Sequence, residues 1–243
     1  MGTFKAVFFD LDGTLWDGSA CACHALDILL GKLRDHLPEG EEDADVSLNF
    51  NAALLGQIRD CGLTNRLELL RTGRFQRLLD GYGIKDKALA HELAVTYNNT
   101  LRMTMRTFVR KGAEAVLREL RTCGLVLGII TDGVPSRRRQ VIQDLGLAEL
   151  VDHLIIGGAE GHRKPHPRLF TRALEAAAVS SEDMLYVGDS LVTDVVGACK
   201  AGIAVAWLRQ GSQRQVEGLP KPTYTVNDLR EVVAIAGQQA PTE

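Results

Sequence analysis

Hydrophobic and polar positions fall along this chain in two kinds of block. Thr3 to Phe9 is a short apolar, aromatic run, and it stops abruptly in the polar cluster Asp10, Leu11, Asp12, Gly13, Thr14, so it predicts a strand ending in a turn. The next such run is Leu125 to Ile130, continuous and apolar, as a strand buried on both faces would be. From there the pattern alternates. A helix capped by Ser136 carries Val141, Ile142 and Leu145 and ends at Gly146, and Leu154 to Ile156 is a strand. Pro167 opens a helix whose apolar residues Leu169, Phe170, Ala173, Leu174 and Ala177 recur at helical spacing. Met184 to Val187 is a strand, a helix follows with Val195, Val196 and Cys199, and Ile203 to Trp207 is another strand. Thr223 to Val226 and a helix after Asn227 close the pattern. Strands alternating with helices predict an α/β, doubly wound parallel sheet with helices on both faces, whose ligands bind at the carboxyl ends of the strands.

Residues 16–106 read differently. Ala25, Leu26, Leu29, Leu30 and Leu33 form one helical stripe, Leu67, Leu70, Leu78 and Leu79 contribute to others, and Leu89, Leu93 and Val95 to a third. Gly31, Gly56, Gly62, Gly81 and Gly83 punctuate the segment, and the acidic run Glu39 to Asp45 reads as a solvated loop. The expected organisation is a core made of residues 1–15 and 107–243, with an all-helical domain, 16–106, inserted after the first strand.

Composition narrows the partners. The chain has 243 residues, 45% hydrophobic and 24% charged, with a formal net charge of −3. That balance is globular and offers no basic field for nucleic-acid backbones. The apolar runs are far shorter than the roughly 20 residues that span a bilayer, and Met1 to Phe9 has no secretory character. Five cysteines (Cys21, Cys23, Cys61, Cys123, Cys199) are too few and odd in number for a disulfide framework. A cytoplasmic protein, monomeric or homodimeric, with no nucleic-acid or membrane partner is the expectation.

Four clusters, each after a predicted strand, carry the chemistry. They are Asp10 and Asp12 with Gly13 and Thr14; Thr131, Asp132 and Gly133; Lys164 between Arg163 and Pro165; and Gly188, Asp189 and Ser190 with Asp194. Taken singly each has a bland reading: a strand-ending turn, a second turn, a surface lysine, a helix N-cap. Together on one sheet edge, Asp10, Asp12, Asp189 and Asp194 would repel one another without a counterion, and a hard divalent cation such as Mg²⁺ relieves that. Thr131 and Lys164 supply donors and positive charge to phosphoryl oxygens, which is most of what phosphoryl transfer asks of a protein.

The series Asp-x-Asp-Gly-Thr, Thr-Asp-Gly, Lys-Pro and Gly-Asp-x-x-x-x-Asp, in this order, resembles the four motifs of the haloacid dehalogenase-like (HAD) hydrolase superfamily. The resemblance implies a Rossmann-like core and a small phosphorylated metabolite as substrate. It implies Asp10 as nucleophile through an aspartyl-phosphate, and Asp12 as general acid and base. It also implies Mg²⁺ held by the Asp10 and Asp189 carboxylates and the Asp12 carbonyl, phosphoryl binding by Thr131 and the Asp132 amide, and Lys164 as the compensating cation. Asp194, Ser190 and Gly188 support the last motif. The helical insert resembles the C1-type cap of phosphoglycolate phosphatase-like members. Asp132 departs from the asparagine common in the family.

The second aspartate, Asp12, argues against dehalogenation, and no cap lysine sits in the apolar setting that phosphonate hydrolysis needs. A β-phosphoglucomutase-like sugar phosphomutase, or a non-catalytic binding protein on the same fold, stays open beside the phosphatase. Arg66, Arg71 and Arg74 are read as solvated helix charges, with a grip on a second anionic group of the substrate as the alternative. Arg137, Arg138 and Arg139, at a helix start and so opposed to the helix dipole, are read as a solvated face, with a place near the phosphate cleft as the alternative. Trp16 and Asp17 line a hinge or simply pack. Cys21, Cys23 and His24 lack zinc-ligand spacing, and the prolines at 165 and 167 keep His162 and His166 off one helical face.

Overall fold

The computed structural model describes residues 4–36, 67–211 and 213–237, with residues 30, 35, 67–72 and 74 described by their backbone alone. The chain divides into two compact units, 1–17 with 109–243, and 18–108.

The first unit is built on a six-stranded sheet in the order β3-β2-β1-β4-β5-β6. The strands are β1 (Ala6–Phe9), β2 (Val126–Thr131), β3 (His153–Ile156), β4 (Met184–Gly188), β5 (Ala204–Leu208) and β6 (Tyr224–Val226), and every pair is parallel. β1 is buried along its whole length, as its unbroken Ala-Val-Phe-Phe run requires. It pairs with β2 on one side and β4 on the other, Phe9 opposite Ile129 and Val187. The winding direction reverses between β1 and β4, which opens a crevice at their carboxyl ends.

The helices of this unit bury the stripes their spacing sets. The helix Ala113–Thr122 buries Ala113, Val116, Leu117 and Leu120, and Pro167–Ala177 buries Leu169, Phe170, Ala173 and Ala177. Phe170 meets the Tyr186 ring edge-on at 5.1 Å between centroids, an arrangement worth roughly 0.5–1.5 kcal/mol beyond area burial. The helix predicted to be capped by Ser136 starts two residues earlier. Pro135, with its preset φ, takes the first helical position, Val134 precedes it, and Ser136 is exposed and caps nothing.

The second unit packs helices Gly18–Leu33, Leu67–Gly81 and Lys87–Thr104 around Leu26, Leu29, Leu33, Phe75, Leu79, Leu89 and Leu93. The Asp86 carboxylate accepts from the Ala88 and Leu89 amides, both at 2.9 Å, and so caps the last of these helices. Two readings of this region change. Gly31 does not break the first helix, because Leu29 and Leu33 are buried on either side of it and their packing outweighs the weak propensity of one glycine. Val95 is 42% exposed, since it stands two residues past Leu93 and off the stripe. The acidic run 39–45, Cys61, Gly56 and Gly62 lie outside the described residues. Among the described residues no helix is long and apolar enough to cross a membrane.

Two glycines should respond oppositely to alanine. Gly128 of β2 lies against the fully buried Phe8 ring, where an added Cβ would collide, while nothing stands within 4 Å of a Cβ at Gly31. Urea unfolding of Gly128→Ala should show a loss of about 1–3 kcal/mol. Gly31→Ala should gain roughly 0.4–1 kcal/mol.

Candidate active site

The polar clusters meet at the carboxyl edge of the sheet. Asp10 follows β1, Thr131 ends β2, Asp189 follows β4, and Lys164 comes from the loop after β3. Lys164 is the hub. Its side chain is buried, and its Nζ donates to Asp10 Oδ1, to Asp194 Oδ1 at 2.7 Å and to the Tyr186 hydroxyl at 3.2 Å. Burial alone would lower the lysine pKa, but Asp10 and Asp194 outweigh it and hold the ammonium charged. Tyr186 donates its own proton to Asp194 Oδ1 at 3.0 Å, and the Ser190 amide donates to Asp194 Oδ2 at 3.0 Å. Both oxygens of Asp194 are thus occupied.

Asp194 reaches this position through a π-helical turn, Leu191–Val195, which Ser190 caps by accepting from the Thr193 amide. The turn presses Asp194 against Gly188, where a Cβ would stand 2.5 Å from its carboxyl carbon. Gly13 is constrained twice: its φ of +86° favours glycine, and a Cβ there would strike the Asp189 carboxylate.

Asp10 meets the ammonium through Oδ1, and Asp189 accepts from neutral donors, the Thr14 hydroxyl at 3.5 Å through Oδ1 and Gln210 through Oδ2. Ligand atoms of Asp10, Asp189 and Asp194 lie within 4.8 Å of one another. Burial is the main force raising Asp10 well above the ordinary carboxylate range, with Asp194 and Asp12 adding to it against Lys164. Burial, then Asp194, pushes Asp189 up to about 6. Three carboxylates share one ammonium, so the cluster is short of positive charge. Asp189 is also held from behind: Gln210 donates to its Oδ2 at 2.9 Å and to the Gly13 carbonyl at 2.8 Å, and the Trp207 indole donates to its backbone carbonyl at 2.9 Å.

Asp12 sits beside this cluster with its side chain 43% exposed. Its partner is Arg138, which the sequence reading placed on a solvated face. Arg138 is 3% exposed, and its Nη2 lies 2.6 Å from Asp12 Oδ2. The reading fails because two oxygen acceptors, the Asp12 carboxylate and the Asp132 carbonyl, offset both the desolvation and the unfavourable helix dipole. Asp132 accepts the Lys164 amide at 3.1 Å through Oδ1, a role an asparagine oxygen would fill equally, and burial raises its pKa. Thr131 is buried with its hydroxyl 3.4 Å from the Asp132 carbonyl.

Arg66 lies outside the described residues, and so do the side chains of Arg71 and Arg74 in the helix Leu67–Gly81. Cys21 is buried within the helical unit, its Sγ 3.9 Å from Thr104 Oγ1. His162 and His166 stack face to face at 3.8 Å and are exposed. Trp16 forms isolated bridges with Asp12 and Val109, so it ties the point where the chain leaves the sheet unit to the point where it returns.

Sequence reasoning favoured the wrong alternative for Arg138 and missed Tyr186, Gln210 and Arg110, whose guanidinium donates to the carbonyls of Gly13 and Thr14. For Arg138 a signal existed, an arginine placed against the helix dipole. For Gln210 and Arg110, which touch the site only through tertiary folding, the pattern carried none.

A family model described as haloacid dehalogenase-like hydrolase matches residues 4–202. The glyceraldehyde 3-phosphate phosphatase of Pyrococcus furiosus is 30% identical over 249 residues, covering 97% of this chain and 94% of that protein. The phosphoserine phosphatase of Thermus thermophilus is 42% identical over 120 residues, 49% of this chain and 48% of its own. The HAD-hydrolase YfnB of Bacillus subtilis, solved bound to magnesium, superposes with a TM-score of 0.71 at 24% identity, over 97% of this chain and 100% of that one. That likeness speaks for the fold.

Removing the hub should cost stability before chemistry is considered. Lys164→Met leaves Asp10 and Asp194 buried without their cation, and denaturant unfolding should show a loss of about 3–5 kcal/mol. Adding Asp194→Asn to that variant should recover part of it, because one uncompensated charge is then gone.

Proposed function

The chain belongs to the haloacid dehalogenase-like hydrolases, and from that premise we propose that it is a phosphatase acting on small phosphorylated metabolites through an aspartyl-phosphate on Asp10. The observation that carries this reading is the Asp10, Asp189 and Asp194 cluster around the Lys164 ammonium, with the Asp12 carboxylate alongside.

In the first step an Asp10 carboxylate oxygen forms a bond to phosphorus while the bond from phosphorus to the ester oxygen breaks. Asp12, as the carboxylic acid, gives its proton to the departing oxygen, and the alcohol leaves. In the second step Asp12, now a carboxylate, takes a proton from water as that water attacks phosphorus. The Asp10–phosphorus bond breaks, and inorganic phosphate is released. Such proton transfers typically contribute about 10²–10⁴-fold. Thr131 and the Asp132 amide receive the phosphoryl oxygens, and Lys164 keeps the nucleophile aimed and offsets the charge that builds on the transferring group.

The donor set fits a magnesium ion. Asp10 and Asp189 are hard oxygen ligands, short of positive charge and raised in pKa by burial, which a divalent cation would offset. The Asp12 backbone carbonyl is the third ligand in this proposal, and Asp194 serves as the lysine's anchor, its Oδ1 taking the ammonium and its Oδ2 the Ser190 amide. Bound there, magnesium supplies Lewis-acid polarisation of the phosphoryl group.

For the substrate, we favour phosphate esters of primary hydroxyls. Both named relatives are phosphatases of such esters, and an alkoxide is a poor leaving group that needs a proton donor of the kind Asp12 provides. We assign leaving-group selection to the helical insert, as a C1-type cap. Its entry and return points are tied to the Asp12 loop through Trp16, which supports that role. The net charge of −3 supports a small-molecule substrate over nucleic acid, and the small, odd number of cysteines in the sequence supports a reducing, cytoplasmic setting.

Purified protein should release phosphate from small primary phosphomonoesters with Mg²⁺ and stop with a chelator, and Asp10→Asn should be inactive yet folded. Isomer formation from hexose 1-phosphates without phosphate release would reassign the protein as a mutase. Independently of turnover, Mg²⁺ at 100 times its Kd should stabilise the protein by about 2.7 kcal/mol in thermal scans, and Asp189→Asn should lose that gain.

A further inference from the structure

We propose that Arg138 is the positioning residue for Asp12, holding the proton-transfer carboxylate at a fixed place relative to the phosphoryl-binding loop. The inference rests on the phosphatase reading above and goes beyond it.

Arg138 stands in the first turn of the helix Pro135–Asp144, its amide donating to the Val134 carbonyl at 2.9 Å. A cation there opposes the helix dipole, and at 3% exposure it has also lost its water. Such a residue persists only where fixed acceptors hold it. Nη2 lies 2.6 Å from Asp12 Oδ2, Nη1 donates to Asp12 Oδ1 at 3.3 Å, and Nε donates to the Asp132 carbonyl at 2.7 Å. One planar guanidinium therefore ties two loops together: the one that carries Asp10 and Asp12, and the one where Thr131 and Asp132 await the phosphoryl group. Its fork fixes both the position and the plane of the Asp12 carboxyl.

The geometry is one-sided. Arg138 grips Asp12 from the buried side, while the Asp12 side chain keeps 43% of its surface open. A carboxyl anchored from behind and open in front can meet an ester oxygen without first losing rotational freedom. Misplacement of such a group by about 1 Å costs on the order of 10²-fold. An ordinary structural ion pair would predict lost stability when Arg138 is replaced, but no dependence on the leaving group.

The test compares kcat/KM, which reports the steps through departure of the alcohol, for p-nitrophenyl phosphate and for an alkyl phosphate such as glycerol 3-phosphate. Protonation of the departing oxygen matters little for the first ester and greatly for the second. In Arg138→Met, kcat/KM for the alkyl ester should fall about 10²-fold and for the nitrophenyl ester less than about tenfold. KM should stay nearly unchanged, and Arg138→Lys should recover much of the loss. Should Arg138→Met fail to fold, Arg138→Gln carries the same comparison. Equal losses on both esters, or a lysine variant no better than methionine, would overturn the assignment of Arg138 alone. A wild-type protein that releases phosphate from neither ester would sink the phosphatase reading, and this inference with it.

Discussion

The ammonium of Lys164, enclosed by Asp10, Asp194 and Tyr186, is the interaction on which the remaining architecture depends. A buried charge is tolerable only with its partners in place, and each partner here is itself buried. The lysine therefore dictates where two carboxylates and a phenol point. Tyr186 passes the constraint into the core, because its ring packs edge-on against Phe170 while its hydroxyl serves the site. Core packing and the aim of the nucleophile are in this way a single problem.

The backbone meets that constraint with close approaches. Gly188 admits Asp194, and Gly13 admits Asp189 while adopting a conformation that side chains resist. The π-helical turn after β4 swings Asp194 back over the strand end, where the Ser190 amide can reach it. Gln210 and Trp207 then fix Asp189 from the far side. Carboxylates that repel one another are thus held by a lysine, by amide and hydroxyl donors, and by shape.

Much of this was legible along the chain, for local reasons. An apolar run ending at Phe9 and followed by Asp10 can only be a strand whose next side chain stands at its carboxyl end. The same logic holds for Thr131 and Asp189. The helix spacing of Leu169, Phe170 and Ala173 likewise reports a buried face directly. Local signals failed where a distant contact outweighed them. Gly31 continues a helix because its neighbours are buried, Ser136 yields to Pro135 at the helix start, and Arg138 turns inward because Asp12 waits there.

The sequence by itself determined the alternation of strands and helices, the helical insert, and the inventory of Asp10, Asp12, Thr131, Lys164, Asp189 and Asp194, because periodicity and turn chemistry are written in neighbouring residues. The tertiary structure alone decided the strand order that sets β1 beside β4, the division of labour among the carboxylates, and the recruitment of Arg138, Tyr186 and Gln210. The physical reason is that hydrogen bonding and desolvation depend on distance in space, and residues remote along the chain leave no trace of their meeting in a local pattern.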